Sequence, residues 1–244
     1  MIALLCSVQA EAEPLLGSFV MTRRTTLGAK PLLEGEFAGR GVLLCVGGMG
    51  KVNAAHAATL LLTQFKPEAL VVFGVGGGYP SSGAGIGDVA LAREEITGDE
   101  GVLTVDGFQD TEYIGIPLVK TASTVIYTRY AAPEPLLKRS LQALALRPQA
   151  GKAHVGPFVT LSTCTGTTAR AKELEERYHG LCENMEGAAA AQVAELHGVP
   201  WLEVRGISNI VEDRDLRKWD IPRAAQAARQ AVRSIIEGWE GMSA

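Results

Sequence analysis

Short apolar segments alternate with longer helical patterns along most of the chain, and this alternation constrains the fold more than any other feature. The apolar segments have the length of buried strands and lie at residues 2–6, 42–46, 70–75, 88–94, 155–161 and 201–207. Helical patterns lie at residues 10–16, 52–65, 135–146, 168–178, 185–197 and 219–239. Such alternation is typical of a sheet covered on both faces. We predict a three-layer α/β/α fold around a mixed, largely parallel twisted sheet.

Length and charge bound the possible functions. The 244 residues suit one α/β domain, so we expect residues 1–244 to form a single domain. The 47% of hydrophobic and 20% of charged residues are ordinary for a packed globular protein. The net charge of −4, from 27 acidic and 23 basic residues, argues against nucleic-acid binding as the main function, because neutralising phosphates needs a basic surface.

Cysteine spacing and hydropathy indicate a cytoplasmic protein. Cys6, Cys45, Cys164 and Cys182 lie far apart, form no Cys-x-x-Cys pair and have no histidine at zinc-ligand spacing. We expect Cys6 and Cys45 to be small buried thiols. No apolar stretch reaches the ~20 residues of a transmembrane helix, and the chain starts with a strand pattern instead of a basic leader. We expect no membrane contact.

Ligands of open α/β sheets bind outside the carboxyl ends of the strands, which narrows the search for a site. Glu11 and Glu13 follow the first strand, where they also suit the first turn of a helix. The glycine-rich residues 47–53 match neither a Walker loop nor a dinucleotide fingerprint. The glycines at 74–78 offer bare backbone to a flat ring. A tight turn explains either glycine segment equally well.

Two further strand ends carry polar side chains with two interpretations each. Glu186 opens an alanine-rich helix, where it is either a helix cap or an acceptor for a sugar diol. Ser208 and Asn209 end the last strand, as a turn with an Asx cap or as a reader of a ring edge. The irregular residues 97–120 are glycine-rich, and we expect a long excursion near a site.

Together these segments resemble the nucleoside phosphorylase/nucleosidase superfamily. The resemblance runs from residue 1 to about residue 236 and is carried by residues 10–11, 48–55, 74–78, 184–191 and 204–209. Among its broad groups, the chain looks most like the methylthioadenosine/S-adenosylhomocysteine nucleosidases. Residues 158–167 and 206–215 resemble segments of the futalosine hydrolases of menaquinone biosynthesis.

The resemblance implies cleavage of an N-ribosidic bond through an oxocarbenium-like transition state. Phosphorylases of the superfamily hold phosphate with an arginine and a serine, and Val72 and Val75 occupy those positions here. Glu11 matches the nucleosidase residue that takes a proton from water. A phosphate dianion beside this carboxylate, without an arginine, would be strongly disfavoured. The resemblance therefore implies a hydrolase that needs no phosphate, metal or cofactor.

The resemblance implies that Glu186 binds the 2′-hydroxyl of the ribose. It also implies that Met185 packs against the face of the ribose. Asn209 replaces the aspartate of the methylthioadenosine pattern, and its amide donates to N7 and to a 6-oxo group. Hypoxanthine suits this residue better than adenine does. We therefore expect hydrolysis of futalosine to hypoxanthine and dehypoxanthine futalosine, with methylthioadenosine/S-adenosylhomocysteine hydrolysis as the alternative.

The remaining contacts are also implied by the resemblance. The predicted substrate-binding set further contains Val75, Gly76, Gly77, Cys164, Thr165, Val8 and Phe108. For the 3-carboxyphenyl end of futalosine, Phe108, Tyr113, Ile114 and Val8 are candidates for an apolar wall, and Arg214 or Lys218 for the carboxylate; ordinary surface or loop packing explains each of them equally well. A homodimer or dimer-based oligomer is expected, since the superfamily completes this pocket with a neighbouring subunit.

Overall fold

The side chains of the first strand are all buried and alternate between two cores, which shows how the chain builds a sheet with two covered faces. In β1 (Ile2–Cys6), Ala3 and Leu5 enter one hydrophobic core, while Ile2 and Leu4 enter the other. Successive side chains of a strand point to opposite faces, so a fully apolar strand needs packing on both sides. The structure is a computed structural model that describes residues 1–147 and 151–239.

The strands of the described residues form a 10-stranded sheet and two small two-stranded sheets. After β1, they are β2 (Phe19–Leu27), β3 (Lys30–Phe37), β4 (Arg40–Val46), β5 (Ala69–Gly78), β6 (Val89–Thr97), β7 (Gly101–Thr104), β8 (Gly107–Asp110), β9 (Val119–Lys120), β10 (Val125–Ile126), β11 (Arg129–Ala131), β12 (Ala153–Thr160), β13 (Cys182–Asn184) and β14 (Trp201–Ile210).

Helices cover both faces of the large sheet. They are α1 (Gln9–Leu16), α2 (Lys51–Phe65), α3 (Thr111–Ile114), α4 (Glu134–Ala145), α5 (Thr168–Tyr178), α6 (Gly187–His197) and α7 (Ile221–Glu237). Residues of α2 and α6, such as Leu61 and Ala190, share one core. Residues of α1, α4 and α7, such as Leu15 and Ile235, share the other. The predicted three-layer α/β/α class is confirmed.

The sheet is mixed, and its centre is β5. Parallel ladders join β1 with β4 and β5, β12 with β6 and β13, and β14 with β5. Antiparallel ladders join β2, β3 and β4, and add β11, β13 and the β14–β6 pair. The carboxyl ends of β1, β5 and β14 therefore meet at one edge, where the sequence predicts a site.

Two segments are more regular than expected. The β2–β3 hairpin was not predicted, because its exposed polar residues lack an apolar period; Gly28 and Ala29 form its turn with positive φ angles of 53° and 63°. The segment 97–120, expected to be irregular, contains the β7–β8 hairpin and α3.

Two helix starts differ from the predicted ones because capping side chains fix them further along the chain. Helix α6 begins at Gly187 instead of residue 185, since Asn184 Oδ1 accepts from the N–H groups of Glu186 and Gly187. Helix α7 begins at Ile221 instead of residue 219, since the Asp220 carboxylate accepts from the Arg223 N–H.

Burial and helix length bear on the remaining expectations. Cys6 and Cys45 are buried free thiols, as predicted, and Cys164 is exposed. Within residues 1–147 and 151–239, no helix combines the length and the apolar character that crossing a membrane requires.

Candidate active site

A cleft of about 700 Å³ opens where the carboxyl ends of β1, β5 and β14 meet the start of α6. Its lining residues are Ser7, Val8, Glu11, Met49, Val75, Gly76, Gly77, Cys164, Thr165, Glu183, Asn184, Met185, Glu186, Arg205, Ser208, Asn209 and Trp219. They come from separate segments spread between residues 7 and 219, so only the completed fold assembles the cleft.

The structure brings together nearly all of the site residues proposed from the sequence. The cleft contains Glu11, Asn209, Glu186, Met185, Val75, Gly76, Gly77, Cys164, Thr165 and Val8. Phe108 is the exception: it lies on β8, and its ring centroid is 4.9 Å from Cζ of Arg177 in a separate cleft. Within one copy of the chain, Phe108 therefore does not belong to the site. Tyr113 and Ile114 are exposed and also lie outside its lining.

The Glu11 carboxylate is held in a ring of backbone donors. Oε2 accepts from Ser7 N at 2.9 Å and from Val8 N at 3.2 Å, and Oε1 accepts from Val75 N at 2.8 Å. Glu11 is buried. Burial raises the pKa of Glu11, although Arg205 and the three N–H donors act in the opposite direction. The carboxyl is thus fixed in place and binds a proton more readily than an exposed glutamate does.

Glycines of β5 make room for the groups around the cleft. A Cβ at Gly74 would overlap Oε1 of Glu11, and a Cβ at Gly76 would overlap Sγ of Cys182. Both residues lie inside a strand, so the tight-turn interpretation does not apply to them. Close approach of neighbouring groups explains these glycines.

Arg205 is the charged centre of the site and was not among the predicted residues. Its guanidinium donates to Glu203 Oε1 at 2.7 Å, to Glu186 Oε2 at 3.1 Å and to Val75 O at 3.1 Å, and Nη1 is 3.9 Å from Glu11 Oε1. Burial opposes its charge, but Glu203, Glu186 and Glu11 raise the pKa of Arg205, in that order. The signal in the sequence was a pair of opposite charges two residues apart in an apolar strand.

Glu186 is fixed by the glycine loop that follows β4. Its Oε1 accepts from Gly50 N at 2.9 Å, and its other oxygen accepts from Arg205. Glu186 occupies the N-cap position of α6 but makes no cap bond with its side chain, so the cap interpretation is wrong for it. Lys51, which follows the loop, pairs with Asp99 and Glu100 at 2.6 and 2.8 Å. The loop therefore binds a carboxylate of the protein itself.

The Asn209 amide is oriented by its neighbours. A register shift in β14 lets Asn209, rather than Ser208, pair with Gly77 of β5. Ser208 Oγ lies 2.7 Å from Asn209 Oδ1, and Asn209 Nδ2 donates to Ile210 O at 3.1 Å. Because Nδ2 carries two N–H groups and one of them donates to Ile210 O, the other remains for a ligand.

Glu183 is a buried carboxyl in the cleft that the sequence analysis did not single out. Its Oε1 accepts from Thr165 N at 2.8 Å, and Oε2 accepts from the hydroxyls of Thr165 and Tyr79. Burial raises the pKa of Glu183, while the Thr165 and Tyr79 donors act against burial. Glu183 directly precedes Asn184, the first residue of the 184–191 segment that carries the resemblance, but nothing in its spacing distinguished it from an ordinary strand residue.

A second pair of carboxyl groups lies behind the cleft. Glu95 and Glu203 are fully buried, and Glu95 accepts from Thr160 Oγ1 at 2.6 Å and from Asn184 Nδ2 at 2.9 Å. Burial raises the pKa of Glu95 well above its usual range, and Glu203 raises it further. Asn184 donates to Glu95, and Arg205 donates to Glu203. The neighbouring Glu95 and Glu203 side chains therefore connect Asn184 to Arg205.

The polar side chains of the described residues are not grouped as metal ligands. In the described parts of the chain, no three histidine, cysteine, aspartate or glutamate side chains are grouped so that they could hold a metal ion. The cleft instead offers three carboxyl groups, of Glu11, Glu183 and Glu186, and the amide of Asn209.

Comparisons with known proteins place the chain in a family. The profile of the Phosphorylase superfamily matches residues 1–237. The chain is 35% identical over 206 residues to a futalosine hydrolase of Streptomyces coelicolor, covering 81% of this chain and 80% of that protein. It is 29% identical to a 5′-methylthioadenosine/S-adenosylhomocysteine nucleosidase of Listeria monocytogenes, covering 97% of each chain. A nucleosidase structure from Neisseria meningitidis, in complex with methylthio-immucillin-A, superposes with a TM-score of 0.83 at 22% identity, covering 97% of this chain and 98% of that one.

The chain belongs to the Phosphorylase superfamily. Within it, the protein is an N-glycosidase that hydrolyses the N-ribosidic bond of nucleosides without phosphate.

Proposed function

We propose that the protein hydrolyses futalosine, a 6-oxopurine nucleoside, to hypoxanthine and dehypoxanthine futalosine. One observation carries the proposal: Glu11 and Glu186 are fixed around Arg205 in the same cleft as the oriented Asn209 amide. The similarity to the futalosine hydrolase of Streptomyces coelicolor supports the same choice.

Glu11 is the general base of the proposed mechanism. Water attacks C1′ of the ribose while the bond from C1′ to N9 of the purine breaks, and Glu11 takes a proton from that water. Its pKa, raised by burial, suits this task, because a base works best with a pKa near the working pH. The backbone donors keep the carboxylate from turning away.

Glu186 and Met185 hold the ribose in this proposal. Glu186 accepts from the 2′-hydroxyl, and its negative charge favours the cationic sugar of the transition state over the neutral ground state. The Met185 side chain lines the same cleft and packs against the ribose face. Arg205 attracts both Glu11 and Glu186, which lessens the repulsion between these two buried carboxylates.

Asn209 acts on the leaving purine. The free N–H of its Nδ2 donates to N7, or to N7 and O6 together, and stabilises the purine anion as the bond breaks. An amide is no ready source of a proton, so a water molecule supplies the proton that completes hypoxanthine. Trp219 borders this part of the cleft, since the Asp220 N–H donates to Ser208 O at 2.9 Å.

The cleft does not suit a phosphate nucleophile. Val75 lies in the lining at the position of the phosphorylase serine. The arginine of the cleft, Arg205, is already bound to Glu203 and Glu186. A dianion would meet Glu11 with no free cation to compensate it.

We also propose a homodimer or dimer-based oligomer. Leu103, Val105, Tyr113 and Ile116 of the excursion have exposed fractions of 82%, 102%, 65% and 68%. Exposed apolar side chains in one segment favour contact with another protein surface. A second copy of the chain would cover them, and light scattering at micromolar concentration would give at least twice the mass of one chain; a monomer would contradict this.

The activity test is incubation with futalosine, with and without phosphate, followed by measurement of hypoxanthine. We expect release at the same rate in both conditions. A requirement for phosphate would overturn the hydrolase assignment. Faster release of adenine from methylthioadenosine than of hypoxanthine from futalosine would favour the second candidate, which the similarity to the Listeria nucleosidase supports.

A further inference from the structure

Glu183 and Asn209 lie on the two strands that pair with the carboxyl end of β5, each opposite the same glycine. Glu183 of β13 pairs with Gly77, and Asn209 of β14 also pairs with Gly77. Paired residues of neighbouring strands project to the same face of a sheet. Both side chains line the cleft, and Gly77 between them has no side chain to fill the space.

We propose that Glu183 is a specificity-determining residue that accepts a hydrogen bond from N1–H of a 6-oxopurine, while Asn209 donates to the N7 and O6 side of the same ring. This inference rests on the proposed function, because it assigns the base recognised by the same cleft. The lining of the cleft contains both groups, and Gly77 leaves bare backbone on which a flat ring can lie.

The partners of Glu183 show that its carboxyl is arranged as an acceptor. The backbone N–H of Thr165 can only donate a hydrogen bond, and it donates to Oε1 of Glu183 at 2.8 Å. The hydroxyls of Thr165 and Tyr79 both donate hydrogen bonds to Oε2 of Glu183. Oε1 therefore has one described donor, and a carboxylate oxygen can accept two hydrogen bonds. The second acceptor direction of Oε1 is available to a ligand in the cleft.

The proposed pair distinguishes the two common purine types. Hypoxanthine carries a donor at N1 and acceptors at O6 and N7, which matches an acceptor at residue 183 and a donor at residue 209. Adenine carries an acceptor at N1 and a donor at its 6-amino group. A carboxylate beside N1 of adenine would be left without a partner, which a buried site tolerates poorly. Glu183 thus adds to the discrimination already assigned to Asn209.

The test compares kcat/KM for futalosine and for its 6-amino analogue in the wild-type protein and in Glu183→Gln. The glutamine amide can turn to donate to N1 of adenine, so we expect the preference for futalosine to fall about 10- to 100-fold, the worth of a hydrogen bond to a charged group. If Glu183 only holds Thr165 in place, both substrates lose rate equally and the ratio stays constant, which would overturn the inference.

Two controls separate this inference from the proposed function. Glu176→Gln is the matched exchange at an exposed glutamate of α5, which pairs with Lys172 and lies outside the cleft lining, so the substrate ratio should stay at the wild-type value. A wild-type protein that releases no hypoxanthine from futalosine contradicts the proposed function itself. Normal release from futalosine with an unchanged ratio in Glu183→Gln contradicts only the role of Glu183.

A binding measurement covers the case in which Glu183→Gln fails to fold. Calorimetry on the wild-type protein compares hypoxanthine with 1-methylhypoxanthine, which has no N1–H. We expect the methylated base to bind at least about 10-fold more weakly. Equal affinity would show that no acceptor contacts N1, and the inference would be wrong.

Discussion

Oε1 of Glu11 lies 3.9 Å from Nη1 of Arg205, inside a site where both groups are buried. The attraction lowers the pKa of Glu11, while burial raises it by more. A carboxyl with this balance remains a usable base near neutral pH and is protonated at higher pH than an exposed glutamate.

Replacement of the base tests this assignment. Glu11→Gln keeps the size of the side chain but cannot take a proton from water. We expect kcat to fall by ~10²–10⁴, while futalosine still binds. In the wild-type protein, kcat/KM should fall on acidification at a pH above the ordinary glutamate range, because burial raises the pKa of Glu11 and only the ionised form is active. Glu13→Gln is the matched control, since Glu13 is exposed on the same helix and should leave the rate unchanged. A fully active Glu11→Gln would exclude the role.

The space left by Gly74 gives a second prediction. A Cβ at this position would overlap Oε1 of Glu11, so Gly74→Ala must displace the carboxylate. A displacement of about 1 Å at a reacting group costs ~10² in rate, and we expect a loss of this size in kcat. Gly17→Ala is the control, because a Cβ at Gly17 meets no atom within 4 Å and its φ of −64° suits alanine. Equal rates in the two variants would show that Glu11 tolerates displacement.

The fold was predictable where burial imposes a pattern on the sequence. A fully apolar segment such as residues 2–6 marks a strand covered on both faces, and the glycine and proline at 198 and 200 mark the end of α6. The β2–β3 hairpin gave no such signal, because most of its side chains face solvent. Strand β13 has only three residues, too few for any period to show.

The site was predictable where a polar residue follows a strand, as Glu11 does. It was not predictable where a charge lies inside a strand. Arg205 and Glu203 interrupt an apolar segment, and only the three-dimensional structure shows that they compensate each other at 2.7 Å. Within one copy of the chain, Phe108 lies outside the cleft, because sequence distance does not say on which side of a hairpin an aromatic ring packs.

Asn209 provides a test of base recognition that does not depend on Glu183. In Asn209→Asp, the oxygen that replaces Nδ2 would face Ile210 O at about the present 3.1 Å. An ionised aspartate would repel O6 and the developing purine anion, so hypoxanthine release should fall. A protonated one can donate to N7 and accept from an amino group, so the 6-amino analogue should gain. Either way, the ratio of kcat/KM for futalosine to that for its 6-amino analogue should fall. A ratio that does not move toward the amino compound would show that Asn209 does not contact the base.

The buried pair of Glu95 and Glu203 predicts how stability depends on pH. Burial and the neighbouring Glu203 raise the pKa of Glu95, so folded Glu95 keeps its proton at pH values at which an unfolded glutamate has lost it. The folded state then binds more protons than the unfolded state, and the free energy of unfolding falls as pH rises from the ordinary glutamate range through the raised pKa. Glu95→Gln removes this titration, so its free energy of unfolding should fall less steeply with pH than that of the wild-type protein. Urea denaturation at several pH values between about 5 and 8 measures the slope.

Glu94→Gln is the neighbouring control: Glu94 is only partly buried and pairs with Arg129 at 3.3 Å, so its replacement should keep the wild-type slope. Equal slopes in Glu95→Gln and the wild-type protein would show that Glu95 does not hold the proton.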